Sequence, residues 1–568
     1  MDRLFSQFQP EHYDIQWDLR QAKSARLIRG TATIRGQHLA AEPIRLHAKD
    51  LQIEEATVNS QAAKTPTDND ILTLDNTDDS PVQITIKFSL ALTDAMHGIY
   101  PCYYEHQGQK CELYATQFES HHAREAFPCV DEPGAKATFA ISILSNEPVV
   151  LSNMPVVSQQ ESSEGTLTTF EQTPRMSTYL AAFVAGDLQR ATTAAKSGVE
   201  VNVYATPAQS AGSLNWALQH AAQTIDFFNE YFGVPYPLPK SDHVALPDFS
   251  SGAMENWGLV TYRETALLAD LATASVSTRQ YIATVIAHEL SHQWFGNLVT
   301  MKWWNNLWLN ESFATLMEYL ATDALHPDWR QWDEFANNEG VAALRRDSID
   351  GVQPVQTDVS SPAEISALFD GAIVYAKGGR LLRTMQLWIG DEAFRAGLKQ
   401  YFTRFKYSNT TGDDLWECLS QASGKDVGAL MNTWISQPGY PVVYASLDDG
   451  ELTLRQEQFF TGPHQPSDRL WPIPLDANDQ RLPEEILKER EQRLSPAPDG
   501  LLLLNHQNAS HFITCYDDTL RARILQAITD GILTPAQRAQ YLNEQILLAR
   551  GGLGTLSPHH DKQKRITE

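Results

Sequence analysis

The sequence predicts a multidomain α+β protein: an N-terminal β-sheet domain, a mainly helical domain, a small β-sandwich and the start of a second helical domain. Three observations predict it. The length of 568 residues exceeds what a single hydrophobic core serves. Alternating and β-branched runs, punctuated by Gly, Asn, Asp and Pro, fill residues 1–190. Helical spacing takes over near Gly212, yields after Gln437-Pro438-Gly439-Tyr440-Pro441, and restarts at Thr519.

Each element follows from its local pattern. Thr31-Ala32-Thr33-Ile34, Val82-Gln83-Ile84-Thr85-Ile86 and Phe139-Ala140-Ile141-Ser142-Ile143 read as strands of the first domain, residues 1–190. Leu214 to Phe232, Ser277 to Phe295, Asn310 to Leu325 and Tyr375 to Trp388 read as helices of the second, 191–440. Asn310 is the expected N-cap of its helix, and His326-Pro327 the stop. Leu452-Thr453-Leu454 and Leu501 to Leu504 read as strands of the sandwich, 441–525. Ile524, Ile528 and Ile532, then Ala539 to Ala549, carry the helical pattern that restarts at Thr519 and runs into the last segment, 526–568. Its end, Ser557 to Arg565, is polar and expected to be disordered, so His559-His560-Asp561 is read as solvated tail rather than a metal site.

Composition excludes several classes. A net charge of −26 argues against nucleic acid or an anionic membrane as partner. No apolar run approaches the ~18 residues of a membrane span, and Met1 to Gln7 lacks the apolar stretch of a signal peptide. Five cysteines, odd in number and without a C-x-x-C pair, suit reduced thiols in the cytoplasm. Nothing in the sequence fixes an oligomeric state, and a monomer is the default.

The strongest chemical signal is His288-Glu289-Leu290-Ser291-His292, an H-E-x-x-H box. Positions four apart share one helix face, so both imidazoles can reach one metal ion, with Glu289 beside them. Glu311 follows after 18 intervening residues, in the first turn of the next expected helix. Two histidines and a glutamate leave a fourth position open, the arrangement of a catalytic rather than a structural zinc site. Glu318, seven residues further on the same face, is a candidate acceptor for a ligand imidazole.

Three further segments accompany the box in fixed order: Thr116-Gln117-Phe118-Glu119 with Ala123 to Pro133, Gly252-Ala253-Met254-Glu255-Asn256, and Val374-Tyr375-Ala376-Lys377-Gly378. Together they resemble the M1 family of zinc aminopeptidases, in its bacterial cytoplasmic branch, over about residues 1–550. The resemblance implies a thermolysin-like fold for the catalytic domain and one Zn²⁺ per chain, held by His288, His292 and Glu311. It implies that Glu289 is the general base and that Tyr375 stabilises the transition state. Glu255 and Glu119 would bind the free α-ammonium of a peptide, while Gln117, Gly252, Ala253, Met254 and Asn256 would line the substrate, Met254 in the first side-chain pocket. The expected reaction is hydrolysis of the N-terminal peptide bond, releasing single amino acids.

Family members usually continue into a large helical C-terminal domain, of which only the first helices are expected here. An alternative reading is therefore a truncated form that binds zinc and peptides but turns over weakly or not at all. A zinc endopeptidase is a third reading, disfavoured by Gly252 to Asn256. The preferred N-terminal residue is not legible, and an N₂O donor set also accepts Co²⁺ or Mn²⁺.

Overall fold

Alternation of side chains builds the N-terminal sheet. In Phe8–Asp18, Phe8 and Pro10 face inward, the register shifts between Pro10 and His12, and Tyr13, Ile15 and Trp17 then take over the inner face. Proline gives the ladder no N–H, so the irregularity falls where pairing is weakest. The computed structural model describes residues 3–39, 42–75, 81–448, 450–478, 486–495, 497 and 499–554. His559-His560-Asp561 lies outside the described residues. The chain divides into two compact units: residues 1–304, 359–366 and 399–411, and residues 305–358, 367–398 and 412–568.

The first unit begins with an eight-stranded sheet in the order Val156–Ser162, Gly165–Phe170, Thr138–Ser145, Phe8–Asp18, Leu27–His38, Val82–Ala91, Leu51–Val58, Gln61–Ala62. The three runs expected to be strands all lie in it. Tyr13 stacks on Phe139 at 5.0 Å, and Trp17 meets Phe127 edge-on at 5.9 Å. Such pairs add about 0.5–1.5 kcal/mol each beyond their burial. A four-stranded sheet follows, ordered Val149–Ser152, Phe183–Gly186, Gln109–Gln117, Gly98–His106.

A five-stranded sheet carries the chemistry-bearing loops. Its order is Gln189–Ala194, Glu200–Ala205, Lys240–Leu246, Leu259–Arg263, Ala253–Met254. The central strand Lys240–Leu246 is buried throughout and runs parallel to both neighbours. That suits a sheet covered by helices. The two-residue strand Ala253–Met254 pairs antiparallel to Thr261 and Tyr262 at the edge. Helices Asn215–Phe232 and Val276–His292 pack together, with His220 Nε2 3.0 Å from the Ala283 carbonyl. Trp294, fully buried, sits among Phe228, Phe232 and Tyr236 and donates to Val234 O at 3.0 Å.

The second unit is helical before it becomes a sheet. Helices Trp308–Leu325, Glu339–Asp347, Gly378–Ile389 and Val427–Ser436 precede a four-stranded sheet, ordered Glu491–Leu494, Glu451–Gln458, Pro441–Asp448, Ile513–Tyr516. Helices Asp518–Thr529 and Pro535–Arg550 follow, the second opened by a capping box between Thr534 and Gln537. The multidomain α+β class therefore stands.

Two local expectations fail here. Asn310 is not a cap but lies in the first turn, buried, because the helix starts at Trp308, fed directly by the 3₁₀ turn Trp304–Asn306. The Asn310 and Glu311 amides bond back to Leu307 O at 2.9 and 3.0 Å, so no capping side chain is needed. Leu501 to Leu504 forms no strand, although Leu502, Leu503 and Leu504 are buried. The Leu503 amide donates to Asn478 Oδ1 (2.6 Å) and the Leu504 amide to the Tyr516 hydroxyl (2.9 Å), so side chains take the bonds a neighbouring strand would have made.

Glu544 is buried in the last helix, accepting from the Thr514 amide at 3.2 Å and Gln540 Nε2 at 3.1 Å. Burial pushes its carboxyl up to about 7. A raised acid favours the folded state fully below its unfolded value and loses that contribution as pH rises through the folded one. Stability should thus fall by on the order of 2–3 kcal/mol between about pH 4.5 and 7. Glu544→Gln is expected to flatten that slope, read as thermal midpoints at pH 5 and pH 8.

Candidate metal centre and active site

The helix that carries the H-E-x-x-H box is fixed at both ends. Ser275 caps it, its hydroxyl accepting from the Thr278 amide at 3.0 Å. Ile282, Ala283, Ile286, Ala287 and Leu290 bury one flank. His288 and His292 then fall one turn apart, ring centroids separated by 4.8 Å and planes inclined by 77°. His292 is 1% exposed, and its Nδ1 lies 3.0 Å from the Phe295 carbonyl. A carbonyl only accepts, so Nδ1 carries the proton and Nε2 keeps its lone pair for a ligand. A hydrogen bond from the far ring nitrogen to a carbonyl orients metal-binding imidazoles in this way, and two imidazoles with a carboxylate are a donor set that suits Zn²⁺.

Beyond His292 the chain turns back on side chains that hold the next loop. Gln293 Nε2 donates to Glu289 O at 3.1 Å and to Glu255 O at 3.2 Å, and Asn297 Nδ2 to Glu255 O at 2.8 Å. The Glu255 carbonyl is thus gripped by two amides. Lys136, completely buried, donates to the carbonyls of Asn297 (3.0 Å) and Leu298 (3.3 Å), and burial pushes its ammonium far below the usual lysine range. Gln293, Asn297 and Lys136 carry no motif, and sequence reasoning passed over them.

The result is a convergence of acids on the box. Glu255, Glu289 and His292 are all buried, and each offers one atom within 4.8 Å of the others. Glu255 follows the edge strand directly. Gly252 O accepts from the Arg263 amide at 2.9 Å, and Asn256 Nδ2 bonds Thr261 Oγ1 at 3.2 Å, pinning both ends of the segment. Met254, 1% exposed, receives Gln117 Nε2 on its sulfur at 3.3 Å. Gln117 Oε1 is buried and finds no hydrogen-bond partner among the described residues. Such an acceptor is suited to a donor from outside the protein. Glu119 stands two residues on, half-buried. Beneath Glu289, Tyr262 is held by burial first, then by that carboxylate, well above the ordinary phenol range. Its hydroxyl meets His243 Nδ1 at 2.9 Å. Spacing gave no hint of this pair.

Another histidine–carboxylate group lies in the same unit. His97 and His122 approach Glu125 through Nδ1 at 2.6 and 3.0 Å, but Lys49 Nζ already meets that carboxylate at 2.9 Å.

The second unit holds Glu311 and Tyr375 on two packed elements. Glu311, 3% exposed, is in the first turn of Trp308–Leu325, and Glu318 lies two turns on, 9% exposed. Tyr375 sits on a π-helical turn, Gly371–Lys377, whose wider loop is capped by Asp370. Turns of this kind mark functional sites more often than ordinary helix does. Ser312, next to Glu311, donates through Oγ to Val374 O, next to Tyr375, at 2.5 Å. Glycines allow that approach: a Cβ at Gly378 would collide with Ser312 Oγ, and one at Gly379 would lie 2.8 Å from Thr315 Cγ2. Gly378→Ala is expected to lower stability by about 1–3 kcal/mol through overpacking, read by chemical denaturation.

Residues 9–180 match the Peptidase M1 N-terminal domain and residues 216–434 the Peptidase family M1 domain. The chain is 48% identical over 562 residues to an Aminopeptidase N of Lactococcus lactis subsp. lactis, covering 97% of this chain and 66% of that protein. It is 46% identical to an Aminopeptidase N of Lactobacillus delbrueckii subsp. lactis, covering 97% and 65%. It is 38% identical to Aminopeptidase M1 of Arabidopsis thaliana, covering 89% and 61%. The chain thus spans just under two thirds of the length of these relatives. With both family domains matched in order and nearly half of its residues shared with bacterial members, the chain belongs to peptidase family M1.

Proposed function

We propose that this chain is a zinc aminopeptidase that hydrolyses the N-terminal peptide bond of peptides and releases single amino acids. The observation that carries the reading is the buried convergence of Glu255, Glu289 and His292. His288, His292 and Glu311 would hold the ion, one per chain, with Glu318 as an acceptor behind it. When bound, zinc supplies Lewis acidity that polarises the scissile carbonyl and makes water acidic.

The remaining work belongs to side chains. Glu289 takes the proton of the attacking water and returns it to the leaving amine. Tyr375 donates a hydrogen bond to the carbonyl oxygen as charge develops there. Glu255 and Glu119 accept from the substrate's α-ammonium through charge-assisted hydrogen bonds. The edge strand Ala253–Met254 offers backbone groups to the substrate main chain, as sheet edges do for extended peptides. Gly252, Asn256 and Gln117 flank it, and Met254 lines the first side-chain pocket. A blocked amine would leave buried carboxylates unmatched, which selects peptides with a free N-terminus.

The family assignment and the two buried acids next to His292, Glu255 and Glu289, favour this reading over a non-catalytic zinc-binding form. The division into segments 1–190, 191–440, 441–525 and 526–568 is part of the proposal. So are a monomeric state and a cytoplasmic location, which the five unpaired cysteines suit. The test is a panel of aminoacyl arylamides with and without chelator, alongside metal analysis. Release should stop on chelation, return with stoichiometric Zn²⁺, and be absent for N-acetylated substrates. Cleavage of the acetylated series would point to an endopeptidase instead.

A further inference from the structure

We propose that the buried trio Asp347, Lys377 and His511 is a positioning device for Tyr375, setting its phenol for the transition state rather than stabilising the fold. The inference rests on the role proposed above for Tyr375.

Lys377 closes the π-helical turn two residues after Tyr375, and its side chain is wholly buried. Its ammonium has three protons and three acceptors: Asp347 Oδ2 at 2.9 Å, Gln437 O at 3.2 Å and Gly439 O at 3.2 Å. A saturated ammonium cannot rotate without losing a bond. Asp347 ends the helix Glu339–Asp347, which packs on the turn. Its other oxygen accepts from the Gly439 amide at 2.8 Å, and Oδ2 also accepts from His511 Nε2 at 3.0 Å. Burial opposes the charge on Asp347, yet Lys377 and His511 hold its carboxyl down at about 2.

Tyr375 itself is only half-buried. Its backbone is therefore clamped on both sides: Val374 O by Ser312, and Lys377 by Asp347 and the Gln437 and Gly439 carbonyls, with His511 behind Asp347. Stability alone does not explain the arrangement, because apolar residues of similar volume commonly replace a buried ion pair without loss. What an ionic trio adds, with every Lys377 proton and both Asp347 oxygens bonded, is one allowed geometry. A reactive phenol on a wide turn needs that, since misplacement by about 1 Å forfeits much of its effect.

The experiment is a double-mutant cycle on an aminoacyl arylamide, using Asp347→Asn, Tyr375→Phe and the combination, with zinc content and thermal midpoint measured for each. Asp347→Asn is expected to lower kcat at least tenfold, keep KM within threefold and keep one zinc. In the Tyr375→Phe background it should cost less than twofold more. Equal losses in both backgrounds would overturn the inference and leave the role of Tyr375 intact. Wild-type kcat in Tyr375→Phe would overturn that role and this inference with it. If Asp347→Asn does not fold, His511→Gln, which keeps the Asp347–Lys377 pair, carries the same cycle with the same outcomes.

Discussion

Glu289→Gln is expected to lower kcat by roughly a thousandfold while the protein keeps its zinc and its thermal midpoint. The substitution keeps size and shape and removes only the ability to accept a proton. Glu289 is 6% exposed, and what Gln293 grips is its backbone carbonyl, so the helix end does not depend on the carboxylate. Zinc retention follows because His288 and His292 are untouched and the His292 ring is oriented from Phe295, not from Glu289. Steady-state kinetics with metal analysis checks it. Turnover near the wild-type rate would remove Glu289 from the mechanism, and loss of zinc would mean that the residue holds the metal site together.

Glu255→Gln should act differently. It is expected to reduce kcat/KM for unblocked arylamides about a hundredfold, corresponding to about 3 kcal/mol for a lost charge-assisted bond. Discrimination against N-acetylated substrates should shrink in parallel. The glutamine would stay where the glutamate is, because its carbonyl remains held by Gln293 and Asn297. The diagnostic is therefore a change in selectivity without a change in zinc content. Unaltered preference for a free amine would assign ammonium recognition to other groups.

The helix of the metal box was legible because its signal is local: four residues of spacing suffice to place two imidazoles on one face. The strands at Thr31 to Ile34, Val82 to Ile86 and Phe139 to Ile143 were legible for the same reason, whereas the register shift at Pro10 emerged only from the strand pairing. Where a side chain substitutes for a backbone partner, local pattern misleads. Leu501 to Leu504 has a strand's composition, but Asn478 and Tyr516 take its amides. Asn310 has a cap's chemistry, but the preceding 3₁₀ turn makes a cap unnecessary.

By itself the sequence determined the H-E-x-x-H spacing, the order of the motifs and the family they belong to, since each is written in residues a few positions apart. Only the tertiary structure decided that Glu255, thirty-seven residues before His292, is buried against it, that Gln293 and Asn297 hold it there with Lys136 bonded to the Asn297 carbonyl, and that Tyr375 rides a π-turn braced by Ser312 and Lys377. The physical reason is that hydrogen bonds and ion pairs between distant segments depend on how packed elements meet, and spacing along the chain carries no record of that.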